Sequence, residues 1–191
     1  MQATVLGMEF LEVVQTYFRG ERLESALFVV PGGLLIIGLG IAAIRSETPA
    51  FAWSVAVPCF LFGLLFLGVG VGISLRTPGQ VAALLQGLET DSVNTLAAEI
   101  ARMDKVHANF HLVLPTLGVI AFTGLVLRFG VNADWAQGLG AILVLVGGLG
   151  LLSDGFASRR ALPYIAALAA ERDRSSAEHQ PGETSLRPDA D

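Results

Sequence analysis

Uncharged apolar runs alternate with short polar stretches along this chain, and the runs dominate: Ala26–Ile44, Phe51–Leu75, Leu112–Leu127 and Trp135–Ser153 carry no ionisable acid or base. A helix rises about 1.5 Å per residue, so crossing a hydrocarbon layer of about 30 Å takes about twenty residues. Three runs meet that length. The third falls short, but His111 and Arg128 flank it, and long polar side chains can reach an interface while their stems stay apolar. None of the runs alternates apolar with polar positions, which argues against a membrane β-barrel and for helices. The pattern predicts an all-α integral membrane four-helix bundle.

Short polar segments at Arg45–Ala50 and Gly130–Asp134 join the runs in pairs. Connections this short require antiparallel neighbours, so two transmembrane hairpins are expected. Ahead of the first hairpin, Leu6, Phe10, Val13, Val14 and Tyr17 fall on one helical face and Glu9, Glu12, Thr16 and Arg19 on the other. This is an amphipathic helix, expected to end near Gly20 and to lie along the inner membrane surface, with packing against the cytoplasmic parts of the bundle as the alternative. Between the hairpins, Arg76-Thr77-Pro78-Gly79 reads as a turn, Val81, Leu84, Leu85 and Leu88 as a short helix, and Thr90-Asp91 as a second break with Asp91 as helix N-cap. From Val93 through Leu96, Ile100, Met103, His107 and Phe110 to Leu117 a 3,4 spacing runs unbroken from polar sequence into the third span.

A continuation of the fourth span, Phe156–Arg172, keeps Leu162, Ile165 and Leu168 at helical spacing around Pro163. Antiparallel pairing of the two extensions would set Leu162 by Met103, Ile165 by Ile100, and Leu168 or Ala169 by Leu96, forming a cytoplasmic stalk. The expected division is thus an interfacial helix (1–23), hairpin one (24–75), a cytoplasmic helical loop (76–110), hairpin two (111–154), a cytoplasmic helix (155–172) and a disordered tail (173–191), the last too polar to offset its ordering entropy.

Composition sharpens this picture only at its edges. Hydrophobic residues make up 53% of the 191 and charged residues 15%, which excludes an ordinary soluble helical domain. The net charge of −5 contains no basic block, so nucleic acid is not an expected partner. Basic residues cluster on one side of the spans (Arg19, Arg22, Arg76, Arg102, Lys105, Arg159, Arg160, Arg172) against Arg45 and Arg128 on the other. That imbalance places both termini in the cytoplasm, and a cell inner (plasma) membrane is the expected location. Glycines recur at seven-residue spacing (Gly33 and Gly40, Gly63 and Gly70, Gly140 and Gly147), and Gly68 and Gly72 form a GxxxG; both patterns serve close helix packing in lipid.

Candidate chemistry gathers where the spans are aligned at their cytoplasmic ends: Glu24, Arg76, Asp104, His107, His111 and Asp154. Asp104, His107 and His111 share a helix face, and Asp104-x-x-His107 has the carboxylate–imidazole spacing of metal sites in helical bundles. Glu24, Asp104, His107, His111 and Asp154 are therefore the candidate metal ligands. The competing reading is an ion-pair network in which Glu24, Asp104 and Asp154 meet Arg22, Arg76, Arg159 or Arg160; it ranks ahead, and no cofactor is expected.

No Gly-x-Ser-x-Gly elbow or His-Glu-x-x-His helix occurs, and the span centres are apolar where a transporter would place polar groups. The function expected from sequence is a non-catalytic accessory or assembly subunit, embedded in the bilayer, that binds a protein partner or its own copies through cytoplasmic helices. A metal-binding redox protein with a transition metal is the first alternative and an oligomeric ion or proton transporter the second.

Overall fold

The computed structural model describes residues 2–178, with side chains from Met8 to Ser176. The elements are α1 (Gln2–Glu24), a π-helical turn (Ser25–Val29), α2 (Val30–Ala43), α3 (Pro49–Thr90), α4 (Ser92–Gly130) and α5 (Asp134–Glu178), with no strand among the described residues. Helical chain from Met8 to Ala43, and α3, α4 and α5, are each long and apolar enough to cross a membrane. Residues 44–48 connect α2 to α3 and residues 131–133 connect α4 to α5; both turns lie at what is called here the turn end. At the opposite end, the head, α1 meets the last turns of α3, the first of α4 and the last of α5.

Hairpin packing depends on missing side chains. A Cβ on Gly33 would sit 2.9 Å from the Gly63 carbonyl oxygen, and one on Gly124 would sit 2.7 Å from the Val144 nitrogen. Backbone therefore touches backbone along the α2–α3 and α4–α5 seams, which is how helices associate where water supplies no driving force. The seven-residue glycines all occupy such contacts, whereas Gly68 and Gly72 face open space; the GxxxG has no role inside the monomer. Ile36, Val55, Cys59, Ile142 and Val146 form the core joining the two hairpins.

Four features depart from the sequence expectation. First, α3 passes through Arg76-Thr77-Pro78-Gly79 without turning. Proline inside a helix costs about 3 kcal/mol, but the helix beyond it buries Leu84 and packs Val81 and Leu88 against the head core. At about 1.5–3 kcal/mol for a fully buried aliphatic side chain, that packing outweighs the defect. Ser74 and Thr77 hydroxyls donate back to the Gly70 and Ile73 carbonyls at 2.8 and 2.7 Å, bonds made within the same helix. The chain breaks only at Asp91, whose carboxylate accepts from the Asn94 amide at 3.2 Å, capping α4 as expected.

Second, α1 runs past Gly20 into the span, and its apolar face is covered by protein rather than left for lipid: Phe10, Val14, Tyr17 and Phe18 are buried against Leu84, Leu96, Met103 and Tyr164. The head is thus four helices thick, not a two-helix stalk. Third, that extra helix sets the rotation of α5. Ala161, Tyr164 and Leu168 point inward while Leu162 is exposed, so the expected Leu162–Met103 pairing is replaced by Tyr164. Fourth, α5 stays helical to Glu178, with Arg174 and Glu171 paired at 3.1 Å. The remaining tail, with His179, lies outside the described residues.

The π turn at Ser25–Val29 has a cause in sequence. Pro31 lacks a backbone N–H and its ring crowds the carbonyl four residues earlier. One turn widened to i→i+5 bonding, closed by Val30 N–H donating to the Ser25 carbonyl, relieves that clash. π turns often occur at functional positions, and this one carries Ser25 and Val29 into the wall of a cavity.

Candidate functional site

Where the apolar part of the bundle gives way to the head, the helices leave a cavity of about 500 Å³. Sparse packing between α3 and α4 opens it, since the close glycine seams hold each hairpin together but do not link these two helices. Its head-side wall carries Glu21, Glu24, Arg76, Arg102, Asp154 and Arg160, and its other wall is apolar, with Leu65, Phe66, Val69, Phe110 and Val113.

Glu24 is the best-satisfied carboxylate of the cavity wall. Its carboxylate accepts from Arg160 at 2.6 Å and from the Ser153 hydroxyl at 3.1 Å. Arg160 reaches it by passing over Gly20, where a Cβ would come within 2.7 Å of the arginine Cδ. The same guanidinium lies 5.9 Å from the centre of the Tyr17 ring, a cation–π contact. A second cavity of about 400 Å³ lies behind this group, so Glu24, Ser153 and Arg160 form a partition between two spaces.

A second network lies deeper in the head. Arg102 donates two bonds to Glu99 at 2.6 and 2.7 Å, and the Tyr164 hydroxyl donates to the same carboxylate at 2.8 Å. Tyr17 stacks on Tyr164 with ring centres 4.3 Å apart, and Phe18 meets both edge-on. Hydrogen bonding to Glu99 holds the Arg102 guanidinium charged more firmly than usual. Burial, then the Glu99 charge, pushes the Tyr164 hydroxyl pKa up, and burial does the same at Tyr17. The effect is to keep both phenols neutral inside a charged lattice.

The group assembled by aligning span ends is divided by this geometry. Glu24, Arg76 and Asp154 line the cavity; Asp104, His107 and His111 do not, because the cavity face of α4 is made by Arg102, Val106, Phe110 and Val113. Asp104 and His111 are exposed. His107 and His111 approach each other through their Nε2 atoms at 3.4 Å, and the His107 Nδ1 is buried without a partner. Among the described residues no three His, Cys, Asp or Glu side chains gather as metal ligands would. The pairing of Glu24 with Arg160 belongs to the set foreseen for an ion-pair network.

Glu21, Glu99, Tyr17 and Tyr164 carry much of the observed network; sequence marks Tyr17 only as part of an apolar helix face and gives the other three no role. Glu99 sits on the same helix as the candidate Asp104 but five residues away, so it faces α1 and α5 instead. A signal was present in the i,i+3 spacing of Glu99 and Arg102.

No family model, curated protein or solved structure matches this chain. Its reading rests on its own residues.

Proposed function

We propose that the chain is a four-span inner-membrane protein with both termini in the cytoplasm, acting by binding rather than by turnover, as an accessory or assembly subunit. The observation that carries this reading is the head. Phe10, Val14, Tyr17, Leu84, Leu96, Met103, Tyr164 and Leu168 make a packed four-helix unit outside the apolar runs, and the Glu99–Arg102–Tyr164 bonds cross-link two of its helices. A preformed, rigid unit held just beyond the membrane suits recognition, because little ordering cost remains at binding.

The seam of Leu96, Met103 and Leu168 is consumed inside this unit, so a partner must use the outward faces, where Leu162 and Val93 are exposed. The test is affinity purification of the tagged full chain from its native membrane, with Leu162→Asp and Val93→Asp as variants. A stoichiometric protein that co-purifies with the parent and is lost from a folded variant supports the reading. Stoichiometric iron, manganese or zinc that disappears in His107→Ala would replace it with a metal-binding role, and ion flux in liposomes abolished by Glu24→Gln would replace it with transport.

A further inference from the structure

The charges around the 500 Å³ cavity are not all satisfied, and what is missing has a definite chemistry. Arg102 and Arg160 are committed to carboxylates at 2.6 Å, although the Arg160 Nε is buried without a hydrogen-bond partner among the described residues. Arg76 is not: among the described residues its one ion pair, to Glu21, is 3.5 Å long, and its side chain is 55% exposed. The other Glu21 oxygen, Oε2, is buried without a hydrogen-bond partner among the described residues. Asp154 is half-buried in the wall and has neither a hydrogen bond nor an ion pair among the described residues. The cavity wall therefore carries one loosely held guanidinium, Arg76, which wants an anion, and two carboxylates, Glu21 and Asp154, with acceptor oxygens that want N–H donors.

Its apolar end points to where the occupant comes from. Leu65, Val69 and Val113 line the cavity and are at the same time exposed on the outer surface of α3 and α4. The space thus opens sideways, between two helices, onto the surface that faces lipid, and a molecule already dissolved in the bilayer can enter it chain first.

We propose that this cavity is a binding site for a zwitterionic aminophospholipid, its phosphate on Arg76, its primary ammonium between Glu21 and Asp154, and the upper part of an acyl chain in the gap between α3 and α4. Charge complementarity selects this occupant. With Arg102 bound to Glu99 and Arg160 to Glu24, Arg76, Glu21 and Asp154 are left in the wall to meet a ligand, and one cation with two carboxylates calls for an occupant that carries both an anion and an N–H cation. An anionic lipid without an ammonium would leave both carboxylates unpaired, and a quaternary ammonium has no N–H to give them; buried polar groups left without partners are what makes such a site discriminate. The volume lies within the range of about 300–1,000 Å³ typical of small-molecule sites, enough for a headgroup and the start of a chain.

The inference rests on the lipid-embedded part of the proposed function and not on any protein partner. It is tested by native mass spectrometry of the full chain released from nanodiscs holding equal amounts of phosphatidylethanolamine, phosphatidylglycerol and phosphatidylcholine with matched chains. The expected result is one phosphatidylethanolamine retained per chain in preference to the other two. Retention should fall about tenfold or more in Arg76→Gln and in Asp154→Asn, the scale of one lost charge-assisted hydrogen bond. Val113→Trp, which narrows the apolar mouth without touching a charge, should lower retention as well and keeps the test decisive if a polar variant does not fold. Equal retention of all three lipids, preference for phosphatidylglycerol, or unchanged phosphatidylethanolamine in the folded variants would overturn the site. A chain that stays monomeric in buffer without detergent or nanodisc would instead overturn the membrane placement itself.

Discussion

Tyr164 shows how much one side chain can decide. It is fully buried, stacked on Tyr17, and its hydroxyl donates to the carboxylate that also holds Arg102. Tyr164→Phe keeps the ring and removes the donor. Because Glu99 retains both Arg102 bonds, the loss should sit near the low end for a bond to a charged acceptor, about 1–2 kcal/mol, measured by thermal unfolding in detergent. The pH dependence follows from the raised hydroxyl pKa, caused first by burial and then by the Glu99 charge. The folded head holds the neutral phenol, so this contribution is complete below the ordinary tyrosine pKa of about 10 and is lost progressively as pH rises above it. The parent should lose stability progressively above about pH 10, and Tyr164→Phe should lose less over the same range; equal losses would show that other groups govern the alkaline limit.

Among the helices, the glycines separate packing from composition. Gly124 and Gly118 are six residues apart on α4, yet a Cβ on Gly124 would meet the Val144 nitrogen at 2.7 Å and the Gly140 oxygen at 2.8 Å, while one on Gly118 would meet nothing within 4 Å. Backbone cannot rotate away as a side chain can. Gly124→Ala should therefore force α4 and α5 apart and cost about 1–3 kcal/mol, as overpacking does. Gly118→Ala should be neutral or stabilise by about 0.5–1 kcal/mol through helix preference alone. Denaturant unfolding of both variants in the same micelle checks the pair, and equal effects would contradict the seam. The helices themselves were legible because lipid-length apolar runs and the 3,4 spacing from Val93 to Leu117 depend on local sequence. The fate of Pro78 was not, since its local signal for a turn is opposed by the distant burial of Leu84. The same limit applies to Leu162: periodicity names an apolar residue, but the docking of α1 decides which face of α5 points inward. For the site, Glu24, Arg76 and Asp154 could be found by aligning span ends. Glu21 could not, because its role depends on α1 continuing through Gly20.

For the whole molecule, the arrangement of charge and turns makes a single topological claim. Residues 44–48 and 131–133 close the two hairpins at one end, while α1, Asp91 and the end of α5 lie at the other. Eight basic residues between Arg19 and Arg172 fall on the head side against Arg45 and Arg128 at the turns, and the tendency of lysine and arginine to stay in the cytoplasm is what supports the proposed inward-facing head. In that proposed orientation two of the eight, Arg76 and Arg160, are tied to Glu21 and Glu24 of α1, so residues that would hold the head back during insertion also link α3 and α5 to α1. Cys59 is the sole cysteine and is buried, so a Cys59→Ala background allows single cysteines to report sidedness. In intact cells, Glu47→Cys and Asn132→Cys should both react with a membrane-impermeant maleimide, and Gln86→Cys should react only after permeabilisation. Reaction of Gln86→Cys alone would invert the orientation and leave the fold intact. Opposite behaviour of the two turn positions would be the more serious result, because a hairpin pair with both turns at one end cannot expose them on different faces of a membrane.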